Sequence, residues 1–131
     1  MDEKKSTLHF NPLFNKKGQA NFYLDGDKIH IYSWAGEPVA FVEKMGVFSF
    51  DLTHLGWYED GWLRDHDGKC VALTEPPGKA GPNPPKIKHH PEPPVDKKEP
   101  PEKPEVKEMP HRPAKKALWS ETSDVEFFKG K

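Results

Sequence analysis

The chain is poor in cysteine: Cys70 is the only one in 131 residues. An intrachain disulfide is therefore excluded, and such sparse usage fits a reducing compartment. Long hydrophobic runs are missing too, with none near the roughly 20 apolar residues that a membrane helix needs. Behind Met1-Asp2-Glu3-Lys4-Lys5 no apolar stretch follows of the kind that marks a secretory signal. These absences predict a cytoplasmic protein with no membrane partner. Charge of one sign is also lacking. Twenty Lys and Arg face 21 Asp and Glu, a net of −1, which argues against a nucleic-acid partner. No window keeps a helical period. Proline is scarce except in one place, since thirteen of the fifteen lie between Pro76 and Pro113.

That last asymmetry divides the chain. All the aromatic residues except Trp119, Phe127 and Phe128 lie at or before Trp62, so the core belongs to residues 8–75. Residues 1–75 hold eight Lys and Arg against twelve Asp and Glu, a net of −4, while residues 76–131 hold twelve against nine, a net of +3. Solvated charge on both parts is the plainer account, and exposed pairs between them contribute little. A module near 65 residues buries only about 60% of its unfolded surface. It needs help from a partner, a second copy or its own C-terminus.

Within residues 8–75 a short pattern recurs four times: a long or aromatic residue, Asn, Ser or Asp, two variable residues, then Gly or a stand-in. The copies are read as Phe14-Asn15-Lys16-Lys17-Gly18, Tyr32-Ser33-Trp34-Ala35-Gly36, Phe50-Asp51-Leu52-Thr53-His54 and Arg64-Asp65-His66-Asp67-Gly68. Two residues past each fifth position stand Ala20, Pro38, Gly56 and Cys70. An internal repeat dictates architecture before any single residue does. The Asx or Ser side chain accepts from a backbone N–H two residues on, and the glycine takes φ > 0 cheaply, as a bulged hairpin requires. His54 is the departure from the pattern. Short runs such as Asn21-Phe22-Tyr23-Leu24 and Val39-Ala40-Phe41-Val42 alternate as strands do. Asp25-Gly26-Asp27, Lys44-Met45-Gly46 and Glu59-Asp60-Gly61 supply tighter turns between them. The expected fold is all-β, four hairpin repeats with pseudo-four-fold symmetry.

Around this module the sequence predicts three further regions. Residues 1–7 are a polar, flexible N-terminus. Residues 76–116 are a linker rich in Pro, Lys and Glu, extended and unable to form helix or sheet. At about 3.1 Å per residue it reaches on the order of 100 Å, enough to return to its own module or to meet another molecule. Residues 117–131 turn apolar again and form a docking segment, with Trp119, Val125, Phe127 and Phe128 as its anchors. Ser123 and Glu126 have capping-box spacing for one helical turn.

The chemistry-bearing residues are few. Asp65, His66 and Asp67 form the densest polar cluster and are weak metal candidates. Asp65 and Asp67 sit where Asx residues serve the turn anyway, and no glutamate closes a calcium loop. Cys70 fills the small-residue position of the repeat, and flanking aspartates oppose an activated thiolate. His89, His90 and His111 are read as solvated. Gly78-Lys79-Ala80-Gly81 lacks phosphate-loop spacing. No catalytic residue and no cofactor is expected. Trp57, Tyr58 and Trp62 are the candidate binding residues. Alternation sends Trp57 and Tyr58 to opposite faces, so at least one is expected at a surface or interface, where aromatic anchors concentrate binding energy.

The hairpin repeats, the stretch Leu55-Gly56-Trp57-Tyr58-Glu59-Asp60-Gly61-Trp62-Leu63-Arg64-Asp65-His66-Asp67-Gly68, the linker and the ending from Leu118-Trp119-Ser120 to Phe127-Phe128 together resemble the bacterial four-fold β-flower proteins. The resemblance spans nearly the whole chain and is most specific in the central stretch. It implies four hairpins about a pseudo-four-fold axis and carries no activity or catalytic residue with it. The functional expectation is a non-enzymatic interaction or structural module, with a protein partner or self-association. The alternatives are a metal-dependent enzyme or binder centred on Asp65, His66 and Asp67, and a binder of proline-rich ligands.

Overall fold

A computed structural model of the chain describes residues 10–87, 91–92 and 97–129. Among the described residues eight short strands follow one another as β1 (Phe10–Phe14), β2 (Ala20–Asp25), β3 (His30–Ser33), β4 (Pro38–Glu43), β5 (Gly46–Phe48), β6 (His54–Glu59), β7 (Trp62–Arg64) and β8 (Cys70–Leu73). A single helical turn, α1 (Asp124–Phe127), comes near the end. Each strand pairs antiparallel with the next, and Phe14 opposite Leu73 joins β1 to β8, so the sheet closes into a barrel with no free edge. Among the described residues no helix is long and apolar enough to cross a membrane.

The four-fold repeat is visible in the hydrogen bonds. Asn15, Ser33, Ser49 and Asp65 each donate their N–H to the carbonyl four residues on, and each accepts at its own carbonyl from Gly18, Gly36, Leu52 or Gly68. All four of these latter residues have positive φ, at 79°, 90°, 69° and 85°. A bulge precedes every turn, and the pairs that close it are Phe14 with Ala20, Tyr32 with Pro38, Phe48 with His54 and Arg64 with Cys70.

The third copy therefore runs from Phe48 to Leu52, two residues earlier than the Phe50–His54 register that the sequence suggests. Asp51 is what misleads. It does serve the turn, accepting from the Thr53 N–H, but from inside the loop, and Ser49 occupies the position of Asn15. His54 is no glycine stand-in: it takes the place held elsewhere by Ala20, Pro38 and Cys70. The turns between hairpins are tighter. Lys44-Met45 and Asp60-Gly61 hold positive φ at both residues, the two-residue geometry whose twist matches that of the strands.

Alternation along the strands gives the barrel two apolar faces. One cluster gathers Leu13, Phe22, Leu24, Ile31, Ala40, Val47, Leu55, Leu63, Val71 and Ala72, together with Phe127 and Phe128 from the tail. An eight-stranded barrel is just wide enough for side chains to fill. The opposite face carries larger rings: Phe14, Tyr23, Tyr32, Phe41, Phe48 and Trp62 are all 3% exposed or less. Tyr23 stacks on Tyr32 and Phe41 on Phe48.

An outer barrel face this apolar has to be covered, and the proline-rich segment covers it. Beyond β8 the Gly78 N–H donates to the Asp60 carbonyl, and the Lys86 carbonyl lies over Gly18. Lys97 pairs with Asp25, Lys98 with Glu37 and Lys103 with Glu43. Met109 lies over Gly46, and Arg112 and Lys115 both reach Glu59. Lys116 donates its N–H to the Gly68 carbonyl. Taken in chain order, these contacts carry the arm once round the barrel, hairpin by hairpin. Proline suits the course. A strand-forming segment would seek ladder partners, whereas one with few N–H groups lies flat on side chains.

Candidate functional site

The tail ends its circuit at the mouth of the barrel near the long turns. Leu118 and Ser120 bracket Cys70 in a short parallel bridge: Cys70 N–H donates to the Leu118 carbonyl at 2.8 Å and Ser120 N–H to the Cys70 carbonyl at 2.7 Å. Ser123 caps α1, its Oγ accepting from the Glu126 N–H while Glu126 Oε1 accepts from the Ser123 N–H. This reciprocal box fixes a turn too short to stand alone. It aims Phe127 and Phe128 into the barrel, where Phe128 lies 4.4 Å from the Phe22 ring, centre to centre. Gly56 makes the room. A Cβ there would stand 2.7 Å from the Phe127 ring and 2.1 Å from the Arg64 carbonyl. Val125 differs from the sequence expectation: it is 44% exposed and turns away from the barrel. Trp119 packs edge-on against Trp62 at 5.7 Å.

Two residues that sequence reasoning passed over complete this end. Asp124 is 3% exposed and accepts from Asn21 Nδ2 at 3.2 Å and, more weakly, from Asn15 Nδ2 at 3.5 Å. Arg64, also 3% exposed, donates to the carbonyls of Gly68, Lys116 and Ala80 at 2.6, 2.9 and 2.9 Å. One cation thus ties a turn to two points of the arm. A signal for Arg64 was present. It stands where the other copies have Phe14, Tyr32 and Phe48, and a lone cation at an aromatic position needs acceptors.

The predicted binding aromatics fall in covered places. Trp57 is 3% exposed and Trp62 1%. Tyr58 is half-buried, packs against the inner cluster and shares a 2.6 Å hydrogen bond with Thr74. Trp57 and Tyr58 do face opposite ways, with Trp57 buried and Tyr58 partly exposed. The indoles that meet the proline-rich arm are Trp34 and Trp62, with Nε1 donating to the carbonyls of Glu92 and Gly78 at 3.1 and 2.8 Å. From the tail, Trp119 Nε1 donates to the Asn83 carbonyl at 3.3 Å.

The polar cluster at the fourth turn divides. Asp65 Oδ1 accepts from the N–H groups of Asp67 and Lys69, and Asp65 Oδ2 accepts from Ser120 Oγ. The carboxylate thus serves the turn and the tail. His66 points elsewhere, to His54: Nε2 of His66 is 3.0 Å from Nδ1 of His54 and 3.1 Å from its carbonyl. Burial, then repulsion from His66 when it is protonated, pushes His54 down to about 4. The Cys70 thiol is fully buried and pushed up to about 11, mainly by burial, so it is a packing group rather than a nucleophile. Among the described residues no group of three or more His, Cys, Asp or Glu is assembled as a metal cage. His89 and His90 lie outside the described residues.

No curated protein and no solved structure matches the chain. The profile of one family does, over residues 11–128, which takes in the hairpins, the arm and the plug alike, and its description is "4-fold beta flower protein". Four equivalent bulged hairpins in one closed ring are what that description names: the chain belongs to the four-fold β-flower family.

Proposed function

We propose that the protein is a non-enzymatic interaction module that receives an extended, proline-rich chain ending in adjacent aromatic residues, and that its own arm occupies this receptor. The observation that carries the reading is the division of labour along residues 76–128. Carbonyls of the arm meet the indole N–H groups of Trp34 and Trp62, and Phe127 and Phe128 fill the barrel mouth. Indoles donating to the carbonyls of a proline-rich strand are the general means by which aromatic grooves hold such ligands. A preformed extended segment loses little entropy on docking. A partner, or a second copy, presenting the same chemistry competes for the same places.

The test uses the full chain carrying Phe127→Ala and a fluorescent peptide of residues 117–131. Folding of the variant is checked first by its circular dichroism. The variant is expected to bind the peptide and the unaltered chain to ignore it, because its own tail is in place. A folded variant that leaves the peptide free would overturn the reading.

The wider alternative, a receptor for proline-rich ligands in general, draws on the Trp34 and Trp62 contacts alone. It predicts that a peptide of residues 76–101 competes with the arm and shifts indole N–H resonances. The metal-dependent enzyme centred on Asp65, His66 and Asp67 has no such support, since the Asp65 oxygens already accept from Asp67, Lys69 and Ser120.

A further inference from the structure

The two imidazoles at the barrel rim take no part in holding the arm, and what they offer is independent of the interaction reading. We propose that His54 Nδ1 and His66 Nε2 bind one divalent ion of the zinc class, with the Glu126 carboxylate as third donor and water completing the shell.

The two nitrogens stand 3.0 Å apart, with ring centres at 5.0 Å. Two ligands at about 2.0–2.1 Å from a tetrahedral zinc lie about 3.3 Å from each other. The pair therefore needs to open by only a few tenths of an ångström. His66 is exposed and free to supply that shift. His54 is held, its ring edge-on to Phe48 at 5.0 Å and to Trp57 at 4.6 Å. One ligand is thus fixed and the other adjustable.

The tautomers follow from the surroundings. His54 Nε2 is buried with no hydrogen-bond partner among the described residues. An N–H placed there rests against aromatic rings, a weak but favourable contact, whereas a lone pair there gains nothing. Nε2 therefore keeps the proton, and Nδ1 turns its lone pair toward His66. Without metal, His66 Nε2–H is shared between that lone pair and the His54 carbonyl. The ion takes the place of this proton, which leaves for solvent as another adds at Nδ1 of His66. No net proton is released, and no electron moves.

The depression beside the pair is about 200 Å³ and is bounded on the tail side by Thr122, Glu126 and Phe127. Asp65 also lines it but is committed to its turn and to Ser120. Glu126 is exposed and accepts from the Ser123 N–H through Oε1 alone, so its Oε2 is the carboxylate oxygen available. Two imidazoles and one carboxylate suit zinc better than magnesium or calcium, which prefer all-oxygen shells. Because Glu126 belongs to α1, a bound ion would fasten the plug to β6 and to the fourth turn. With no cage preassembled, binding is weaker than in a four-ligand structural site.

Zinc chloride titrated calorimetrically into the untagged full chain tests this, on a background of His89→Ala and His90→Ala to remove the adjacent pair in the arm. One ion per chain is expected. His66→Ala on that background weakens binding by at least about tenfold, and magnesium in excess does not compete. A zinc-dependent rise in the unfolding midpoint accompanies binding and disappears in His66→Ala, whose metal-free midpoint stays near that of the background. Equal zinc affinity in the His66→Ala chain, or no saturable binding at all, overturns the site. Unchanged affinity in Glu126→Gln overturns the third donor.

Discussion

Single residues decide where the repeat is exact and where it is strained. Three of the four long turns place glycine at the positive-φ position, and the third places Leu52 there at φ 69°. A side chain in the left-handed region costs roughly 1–2 kcal/mol, which glycine's greater freedom when unfolded partly offsets. Leu52 is 44% exposed, so its side chain gives up little packing on removal. Leu52→Gly is therefore expected to stabilise the protein by about 1 kcal/mol, read as a higher midpoint in thermal or urea unfolding. The converse change, Gly68→Leu, has no such freedom. A Cβ at Gly68 would lie 2.1 Å from the Ala114 carbonyl, which pushes the arm off the barrel. The two positions are equivalent in the repeat, with positive φ at both, and at Gly68 the arm lies against the place a side chain would take.

At the scale of the element, the informative piece is the tail. Its capping box was legible, because Ser123 and Glu126 carry that spacing in any context. Which side of the turn enters the barrel was not. Val125, Phe127 and Phe128 are all apolar, and a single helical turn has too little period to rank them. The barrel ranks them, with Phe127 at 6%, Phe128 at 9% and Val125 at 44% exposure. Phe127→Ala is expected to cost about 3–5 kcal/mol by emptying the space beside Gly56. Val125→Ala should stay within about 0.5 kcal/mol. Urea unfolding of the two variants beside the unaltered chain checks both. The third hairpin shows a related limit. Phe50-Asp51 imitates the start of a copy, and only the register of Phe48 opposite His54 separates the true start from the imitation.

At the scale of the whole molecule, the barrel and its arm form one body with two apolar layers. A chain of this length that is compact throughout has a radius of gyration of about 14 Å. Small-angle X-ray scattering of the full chain is expected to give a value near this. A markedly larger value, with a long-distance tail in the pair distribution, would mean that the arm leaves the barrel in solution. The two parts carry opposite net charges, yet the cationic ends of most ion pairs along the arm are open to solvent, and such pairs contribute little each. The hold comes instead from rings such as Trp62 and Tyr32, which no solvent reaches once the arm is down.

What the sequence by itself determined was the local grammar. Alternation set the strands, Asn15, Ser33 and Asp65 with their glycines set the turns, and the density of proline after Pro76 ruled out further strands. These are properties of neighbouring residues, and short-range sterics and hydrogen bonding enforce them wherever they occur. The tertiary structure alone decided what covered what. Trp57, Tyr58 and Trp62 read alike as candidate binding aromatics until Gly81 and Trp119 close on Trp62. Arg64 stands at an aromatic position of the repeat, but which acceptors it finds is decided only when three carbonyls from the turn and the arm close on it. His54 and His66 read as unrelated until the third and fourth hairpins bring them together. Each depends on contacts between distant parts of the chain, which hydrophobic pattern demands in sum and only the packed ring assigns to particular pairs.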